Sequence, residues 1–241
     1  MKLQNRVAVI TGASRGLGRE IARLFALKGA KLVIVARGET ALGEVANELS
    51  RTTDVLAVAV DVGEGADQIA KQALDRFGRV DVLINNASEI GPSPMPSLEA
   101  YPWDALLHVF RINVVAPIHL IQLLLPQMKA RGEGVIINVS SDAGVQAYPG
   151  WGGYGASKAA LEHLSRVLAA ELDGSGVRIY AVDPGDMNTE MHRQAEPGVD
   201  LSHLPGPEVP APAFVYLVEE VSEPSGRFEA LKVVRDEIAV R

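Results

Sequence analysis

The sequence predicts a single-domain α/β protein (residues 1–241) with a doubly wound, mainly parallel sheet and helices on both of its faces. Short unbroken apolar runs rich in β-branched residues, such as Val7-Ala-Val-Ile-Thr11 and Lys31-Leu-Val-Ile-Val-Ala36, alternate with segments of helical period, and glycines sit at the junctions. An apolar strand without alternation is buried on both faces, as in a parallel sheet covered by helices. A regular strand-helix rhythm is what such a sheet requires.

The first strand, residues 7–11, ends in glycines, and Ile21, Leu24 and Phe25 then recur at helical spacing before Lys28-Gly29 closes the helix. The strand at 31–36 completes a strand-helix-strand unit. A helix over 40–51, a strand at 55–60, a helix over 65–77 and a strand at 80–85 continue the alternation. Pro92, Pro94 and Pro96 mark a loop, and Ser97 is placed to cap the pattern over 98–131. That pattern reads as two helices, because Asn113 and Pro117 interrupt it. Next come a buried strand at 134–139, a helix over 156–172 and a strand at 177–182. Residues 184–212 hold six of the fourteen prolines, so an irregular excursion of the kind that forms a lid is expected before a last helix near 212–219.

The formal net charge of −7 argues against a nucleic-acid surface, which carries a basic stripe. Cysteine is absent, which excludes a disulfide framework, a thiolate metal site and a thiol nucleophile. The five histidines show no metal-ligand spacing, so no metal is implied. Residues 1–6 run into a strand without the apolar core of a signal peptide, and no apolar run approaches about 18 residues. A soluble cytoplasmic protein is expected, bound to neither membrane nor nucleic acid. Asn86-Ala-Ser88 and Asn138-Val-Ser140 match the glycosylation sequon, which has meaning only in a secreted chain.

Two stretches carry chemistry. Thr11-Gly-Ala-Ser-Arg-Gly-Leu-Gly18 joins the first strand to the first helix, where glycine lets backbone N–H groups and a helix N-terminus approach a phosphate. It lacks the lysine of a P-loop. Gly12-Ala-Ser14-Arg-Gly16 also fits the nucleophile elbow of α/β-hydrolases, although only one strand precedes it to supply an oxyanion-hole donor, and a turn that merely packs is the third alternative. The second stretch is Tyr154-Gly-Ala-Ser-Lys158. One helical turn puts the two ionisable groups side by side, and the adjacent ammonium is expected to lower the phenol's pKa into the working range. The small Gly155, Ala156 and Ser157 are expected to leave that face open to a ligand.

With both stretches present, the chain resembles the short-chain dehydrogenase/reductase family over roughly residues 5–190. The ordered motifs are the glycine turn, Asp61-Val62, Asn85-Asn86-Ala87, Asn113, Ser140-Ser141, Tyr154 with Lys158, and Asp183-Pro184-Gly185 followed by Thr189. The resemblance implies a Rossmann-like fold and hydride transfer between a nicotinamide dinucleotide and a small-molecule carbonyl or secondary alcohol. Ser141, thirteen residues before Tyr154, would orient the carbonyl, with Ser140 pointing to the other side of the strand end. Tyr154 would be the general acid or base, and Lys158 would bind the nicotinamide ribose and depress the tyrosine pKa. Asn113 would hold a water that links Lys158 to solvent. Gly12, Ser14, Arg15, Gly16, Leu17, Gly18, Asp61, Val62, Asn86, Ala87, Pro184, Gly185 and Thr189 would line the cofactor together with Tyr154 and Lys158. A homodimer or homotetramer assembled through the long helices is also implied. A non-catalytic dinucleotide-binding sensor on the same fold is the alternative.

The second strand ends Val35-Ala36-Arg37. An NAD-selective site places a carboxylate there for the ribose 2′-hydroxyl. Ala36 leaves that position uncharged, while Arg37 and Arg15 offer forks suited to a 2′-phosphate, so NADP(H) is the expected preference and NAD(H) the second choice. Three features depart from the family: Ser88 follows Asn-Asn-Ala, Asp186-Met187-Asn188 opens the excursion, and the Asp-Gly-Gly finish is missing. Ser88, Tyr148, Trp151, Asp186, Met187 and His192 are the candidate pocket residues.

Overall fold

Strand β1 (Val7–Thr11) leads through α1 (Gly16–Leu27) to β2 (Lys31–Ala36), and α2 (Glu39–Leu49) leads to β3 (Val55–Ala59). Helix α3 (Ala66–Phe77) and strand β4 (Val82–Asn85) follow; Val80 and Asp81 precede that strand. The next helical stretch comprises α4 (Trp103–Phe110), a π turn (Arg111–Val115) and α5 (Ala116–Arg131), then come β5 (Gly134–Val139), α6 (Gly152–Glu171) and β6 (Val177–Asp183). The chain closes with α7 (Glu190–Ala195), α8 (Pro212–Glu219), β7 (Ser225–Glu229) and α9 (Ala230–Val233). The computed structural model describes residues 1–239.

The described strands form one seven-stranded sheet of order β3-β2-β1-β4-β5-β6-β7, and every pairing is parallel. Alternate side chains enter two cores. Ala8, Ile10, Leu32 and Ile34 pack beneath Ile21 and Phe25 of α1 and Phe214 and Leu217 of α8. Val7, Val9, Val33 and Val35 face Ile69 of α3 and Leu120 and Leu124 of α5. Each fully buried aliphatic side chain stabilises the fold by about 1.5–3 kcal/mol, and β1 is buried along its whole length. The chain crosses from β3 back to β4 on the other side of β1, so a topological switch point lies at the carboxyl ends of β1 and β4.

Several expectations change. The two helices foreseen over 98–131 are one continuous helix, Trp103–Arg131, because the irregularity at Asn113 is absorbed as a π turn and Pro117 sits in the first turn of α5, where its missing N–H costs little. Joined in this way, the 29-residue helix is apolar enough to cross a membrane by length and composition, with half of its most apolar window buried inside the fold. Ser97 does precede a short 3₁₀ turn at Leu98–Ala100, but its side chain makes no capping bond.

Helix α6 starts at Gly152 rather than at residue 156, so Tyr154 and Lys158 both lie within it. The irregular segment contains α7 and is followed by an unexpected strand, β7, which reads Ser-Gly-Arg-Phe-Glu and lies at the sheet edge with only alternate residues sheltered.

Candidate active site

The glycine turn is built against the end of β4. A Cβ on Gly12 would come 2.7 Å from the Asn86 amide nitrogen and 3.0 Å from the Ala87 backbone, and one on Gly18 would lie 2.4 Å from the Gly12 carbonyl oxygen. Asn86 donates its side-chain amide to the carbonyls of Thr11 (2.8 Å) and Gly12 (3.3 Å), while Thr11 Oγ1 accepts from the N–H groups of Asn86 (3.0 Å) and Ala87 (2.9 Å). The Asn86 side chain thus holds the turn in place. Gly12 and Gly16 have φ of 68° and 54°, the left-handed region that glycine tolerates without strain.

Helix α1 then begins with no side-chain cap and no acidic residue in its first turn. Its unpaired N–H groups and positive dipole end border a cleft of about 430 Å³ lined by Gly12, Ser14, Arg15, Gly16 and Leu17, by Ala36 and Arg37, and by Asp61, Val62, Asn86 and Ala87. An uncapped helix start beside a glycine cradle fits a dinucleotide's phosphates. Gly18 is buried behind the turn. Lys158, Tyr154, Pro184 and Thr189 line the far end of the same cleft.

Arg37 is largely exposed and stands between two carboxylates, 3.9 Å from Asp61 Oδ2 and 3.9 Å from Glu89 Oε2. Asp61 Oδ1 also accepts the N–H of Gly63 at 2.8 Å. Glu89 is a cleft residue that sequence reasoning missed. Its position directly after the Asn-Asn-Ala-Ser stretch was the available signal.

On the other side of Tyr154 lies a cavity of about 460 Å³. Its wall includes Ser141, Asp142, Tyr148, Trp151, Asp183, Asp186, Met187 and His192, and Ser140, Tyr154, Pro184, Met187 and Thr189 border both spaces. Of the candidate pocket residues, Ser88 falls instead in the glycine-turn cleft. Thr189 caps α7 by accepting the N–H of His192 at 3.3 Å. Gly185 donates its N–H to Asp183 Oδ1 at 2.9 Å in the turn that begins the excursion.

Tyr154 and Lys158 are one turn apart on α6, as the spacing requires. Lys158 is 2 % exposed, donates to the Val139 carbonyl at 2.8 Å, and has its Nζ 5.4 Å from the centre of the Tyr154 ring. Burial lowers its pKa to about 8, with the carboxylate of Glu162 working in the opposite direction. The Tyr154 hydroxyl is pushed well above the ordinary phenol value by burial; hydrogen bonding with Ser141 and Ser88 draws it back, and the charges of Asp183 and Asp142 raise it further. The expected depression of the tyrosine by its lysine is therefore not produced by the chain's own groups, because burial outweighs the ammonium that faces the ring.

The open helix face expected at 155–157 is closed at Gly155 and Ser157, while Ala156 is exposed. A Cβ on Gly155 would lie 2.5 Å from the Ala143 carbonyl, and Ser157 is fully buried, donating to the Tyr154 carbonyl at 2.6 Å. Asn113 sits in the π turn, where its carboxamide accepts from Ser88 (3.1 Å) and the Glu89 N–H (2.7 Å) and donates to the Glu89 carbonyl (2.8 Å) and Ser157 (2.9 Å). All four bonding positions of that side chain are used. A water relay through Asn113 would have to run through its main chain.

Ser141 heads a short 3₁₀ turn, accepts from the Ala143 N–H at 3.2 Å and donates to Asp142 Oδ1 at 3.1 Å. Ser140 points away and donates to Glu162 at 2.6 Å, as its place on the strand end predicts. Behind it lies a buried network that the sequence did not disclose. Arg227 of β7 bonds Glu162 at 3.0 Å and Asp183 at 3.2 Å, joining α6, β6 and β7. Glu162 lies four residues after Lys158, on the same helix face, which is the one clue the sequence held.

Comparison with known proteins agrees with this architecture. A model of the short chain dehydrogenases matches residues 6–200. An uncharacterized oxidoreductase of Staphylococcus epidermidis is 33 % identical over 190 residues, which is 79 % of this chain and 81 % of that protein. A short chain dehydrogenase structure from Shigella flexneri, complexed with NADP, superposes with a TM-score of 0.85 at 30 % identity, covering 95 % of this chain and 98 % of the other. The 3-ketoacyl-(acyl-carrier-protein) reductase of Brucella melitensis, complexed with NADH, gives 0.84 at 29 % identity, covering 95 % and 98 %. Fold and site together define a nucleotide-binding oxidoreductase of Rossmann type. The chain belongs to the short chain dehydrogenase family.

Proposed function

We propose that the protein interconverts a carbonyl and a secondary alcohol with NADP(H) as the preferred cofactor, Tyr154 serving as general acid and base. The observation that carries this reading is the position of Tyr154 in the wall between the two spaces, with the Ser141 hydroxyl on one side and the Lys158 ammonium on the other. When bound in the glycine-turn cleft, the dinucleotide supplies or accepts hydride.

The chain's own groups handle the proton. Ser141 turns its hydroxyl to the substrate oxygen and orients it. Tyr154, held protonated by burial, donates its proton to that oxygen as negative charge develops there. Lys158 holds a positive charge under the ring, and its contact with the Val139 carbonyl fixes its direction. In the oxidative direction Tyr154 takes the proton back, and a cationic cofactor adds to the lysine the positive charge that the phenolate needs. A passive sensor would have no use for a proton donor at Tyr154 beside the Ser141 hydroxyl.

Two similar structures bear on cofactor choice, one protein having been seen with NADP and another with NADH. Arg15 and Arg37 both line the cleft at the uncharged end of β2, and Glu39 does not, which supports a 2′-phosphate there. In this reading Asp61 and Glu89 hold the Arg37 fork until the phosphate takes it. A screen of carbonyl compounds with reduced cofactor, followed by nicotinamide absorbance, tests the activity. Oxidation of NADPH by no ketone or aldehyde in a broad panel would refute it.

The segment from 184 to 212 is proposed as the substrate lid, and the assembly as a homodimer or homotetramer in the cytoplasm. Val167 of α6 and Trp103, Leu107 and Val115 of the long helix are all more than 40 % exposed. Apolar side chains in that number on two neighbouring helices support burial against a second copy. Sedimentation showing monomer alone at micromolar concentration would overturn the assembly.

A further inference from the structure

The two spaces that meet at Tyr154 carry opposite charge. The cleft over the glycine turn is lined by Arg15, Arg37 and Lys158 as well as by acids. The cavity beyond Tyr154 is lined by four carboxylates, Asp142, Asp183, Asp186 and Glu196, by the imidazoles of His192 and His203, and, among the described residues, by no lysine or arginine. Two of the acids are answered by neighbours: Asp183 by Arg227 at 3.2 Å and Glu196 by His192 at 3.5 Å. Asp142 and Asp186 have no ion-pair partner among the described residues. The hydrogen bond to Asp142 raises the pKa of Tyr148, with burial and then the charges of Asp142, Asp186 and Asp183 adding to it.

A second observation is independent of charge. The Ser141 hydroxyl donates to Asp142 Oδ1 at 3.1 Å. To orient a substrate oxygen, that hydroxyl must rotate away, and Asp142 Oδ1 then loses its donor. Its other oxygen is already taken by the Tyr148 hydroxyl at 2.7 Å. A half-buried carboxylate oxygen stripped of its donor is costly unless the ligand brings one, and the ligand must bring it close to the carbon that reacts.

We propose that the substrate is an amino ketone, or the matching amino alcohol, whose ammonium lies next to the reacting carbon and is held by Asp142 and Asp186 against the Trp151 ring. This rests on the oxidoreductase reading above. The ring supplies a cation–π face, and it is positioned by edge contacts with Tyr154 at 5.8 Å and His192 at 6.3 Å. In the reaction the ammonium is a spectator: the carbonyl carbon gains hydride from reduced nicotinamide, the oxygen gains the Tyr154 proton, and the nicotinamide leaves oxidised. The same field opposes a carboxylate or phosphate next to the carbonyl, so acidic keto compounds are disfavoured.

Three small ketones of similar size test this: dimethylaminoacetone (cationic), methoxyacetone (neutral) and acetoacetate (anionic). With NADPH, kcat/KM for the cationic ketone should exceed that for the neutral one by about tenfold and for the anionic one by more. The second readout needs no turnover. With NADP⁺ present, the cationic ketone should raise the melting temperature more than the other two. Asp142→Asn and Asp186→Asn should each narrow the cationic-to-anionic ratio.

Turnover led by methoxyacetone or acetoacetate would overturn the ammonium site and leave the oxidoreductase reading standing. Melting shifts led by the amine without turnover of any ketone would do the reverse. Ratios unchanged in both asparagine variants would also overturn it.

Discussion

The cleft over the glycine turn and the cavity beyond Tyr154 share a wall but are built in different ways. The first is made at the ends of β1, β2 and β4 and the start of α1, so its geometry follows from parallel pairing and from glycines that cannot carry a side chain. The second takes much of its wall from residues 184–204, which lie beyond the last inner strand and have only the short α7 for regular structure. A site set by sheet ends binds what the whole family binds. A site set by a loop is free to vary, and its charge differs here from that of its neighbour.

Removing the group in the shared wall should have the largest effect. Tyr154→Phe should lower kcat by about a thousandfold, the scale of a lost acid-base group, while dinucleotide affinity stays nearly intact because the ring is retained. Lys158→Met should damage both. Turnover of the phenylalanine variant at the parent rate would dissolve the distinction between the two sides.

The next effect concerns what holds the wall in place. Arg227→Met leaves Asp183, 7 % exposed, without its cation and Glu162, 4 % exposed, with only Arg166 at 3.9 Å. Breaking a pair of this kind costs about 3 kcal/mol where the partners stay buried, and urea unfolding should show it. A loss below about 0.5 kcal/mol would mean that the network is solvated and does not brace the wall.

A third test exploits the buried lysine. The folded-state pKa of Lys158 is about 8, below its usual value of 10.5, so the unfolded chain binds more protons between those two limits. Stability from this group therefore rises as pH increases from about 8 toward 10.5, and the cost is full at neutral pH. Between pH 7 and 9.5 the parent should gain ~2 kcal/mol relative to Lys158→Met. Parallel urea profiles at the two pH values would contradict a desolvated lysine.

The smallest effect is expected at the exposed rim of the cofactor cleft. Arg37→Ala should weaken NADPH about tenfold, as for one charge-assisted contact, and leave NADH within about twofold. Ala36→Asp should invert the preference by repelling a 2′-phosphate and accepting a free hydroxyl. Equal affinity of the parent for the two cofactors at moderate salt would remove the phosphate from the reading of Arg15 and Arg37.

Local rules in the sequence determined most of the sheet and the placement of the chemical groups. Apolar runs, helical periods and terminal glycines specify strands β1 to β6 and the first three helices, because each is set by contacts within a few residues or by simple burial. The spacing of Tyr154 and Lys158 and the turning of the Ser140 hydroxyl toward Glu162 are likewise consequences of one helical turn and one strand alternation.

Tertiary structure decided what depends on distant partners. Strand β7 exists because the edge of β6 offers it hydrogen bonds, although its own sequence is half exposed and polar. The helix at Asn113 stays continuous because Ser88, Glu89 and Ser157 satisfy a carboxamide that local rules treat as a break. The protonation of Tyr154 follows from burial, opposed by hydrogen bonds with Ser141 and Ser88 and reinforced by the charges of Asp183 and Asp142, groups 12 to 66 positions away in the chain. A pKa responds to all charge and solvent within reach, and four residues of sequence fix only the nearest charge.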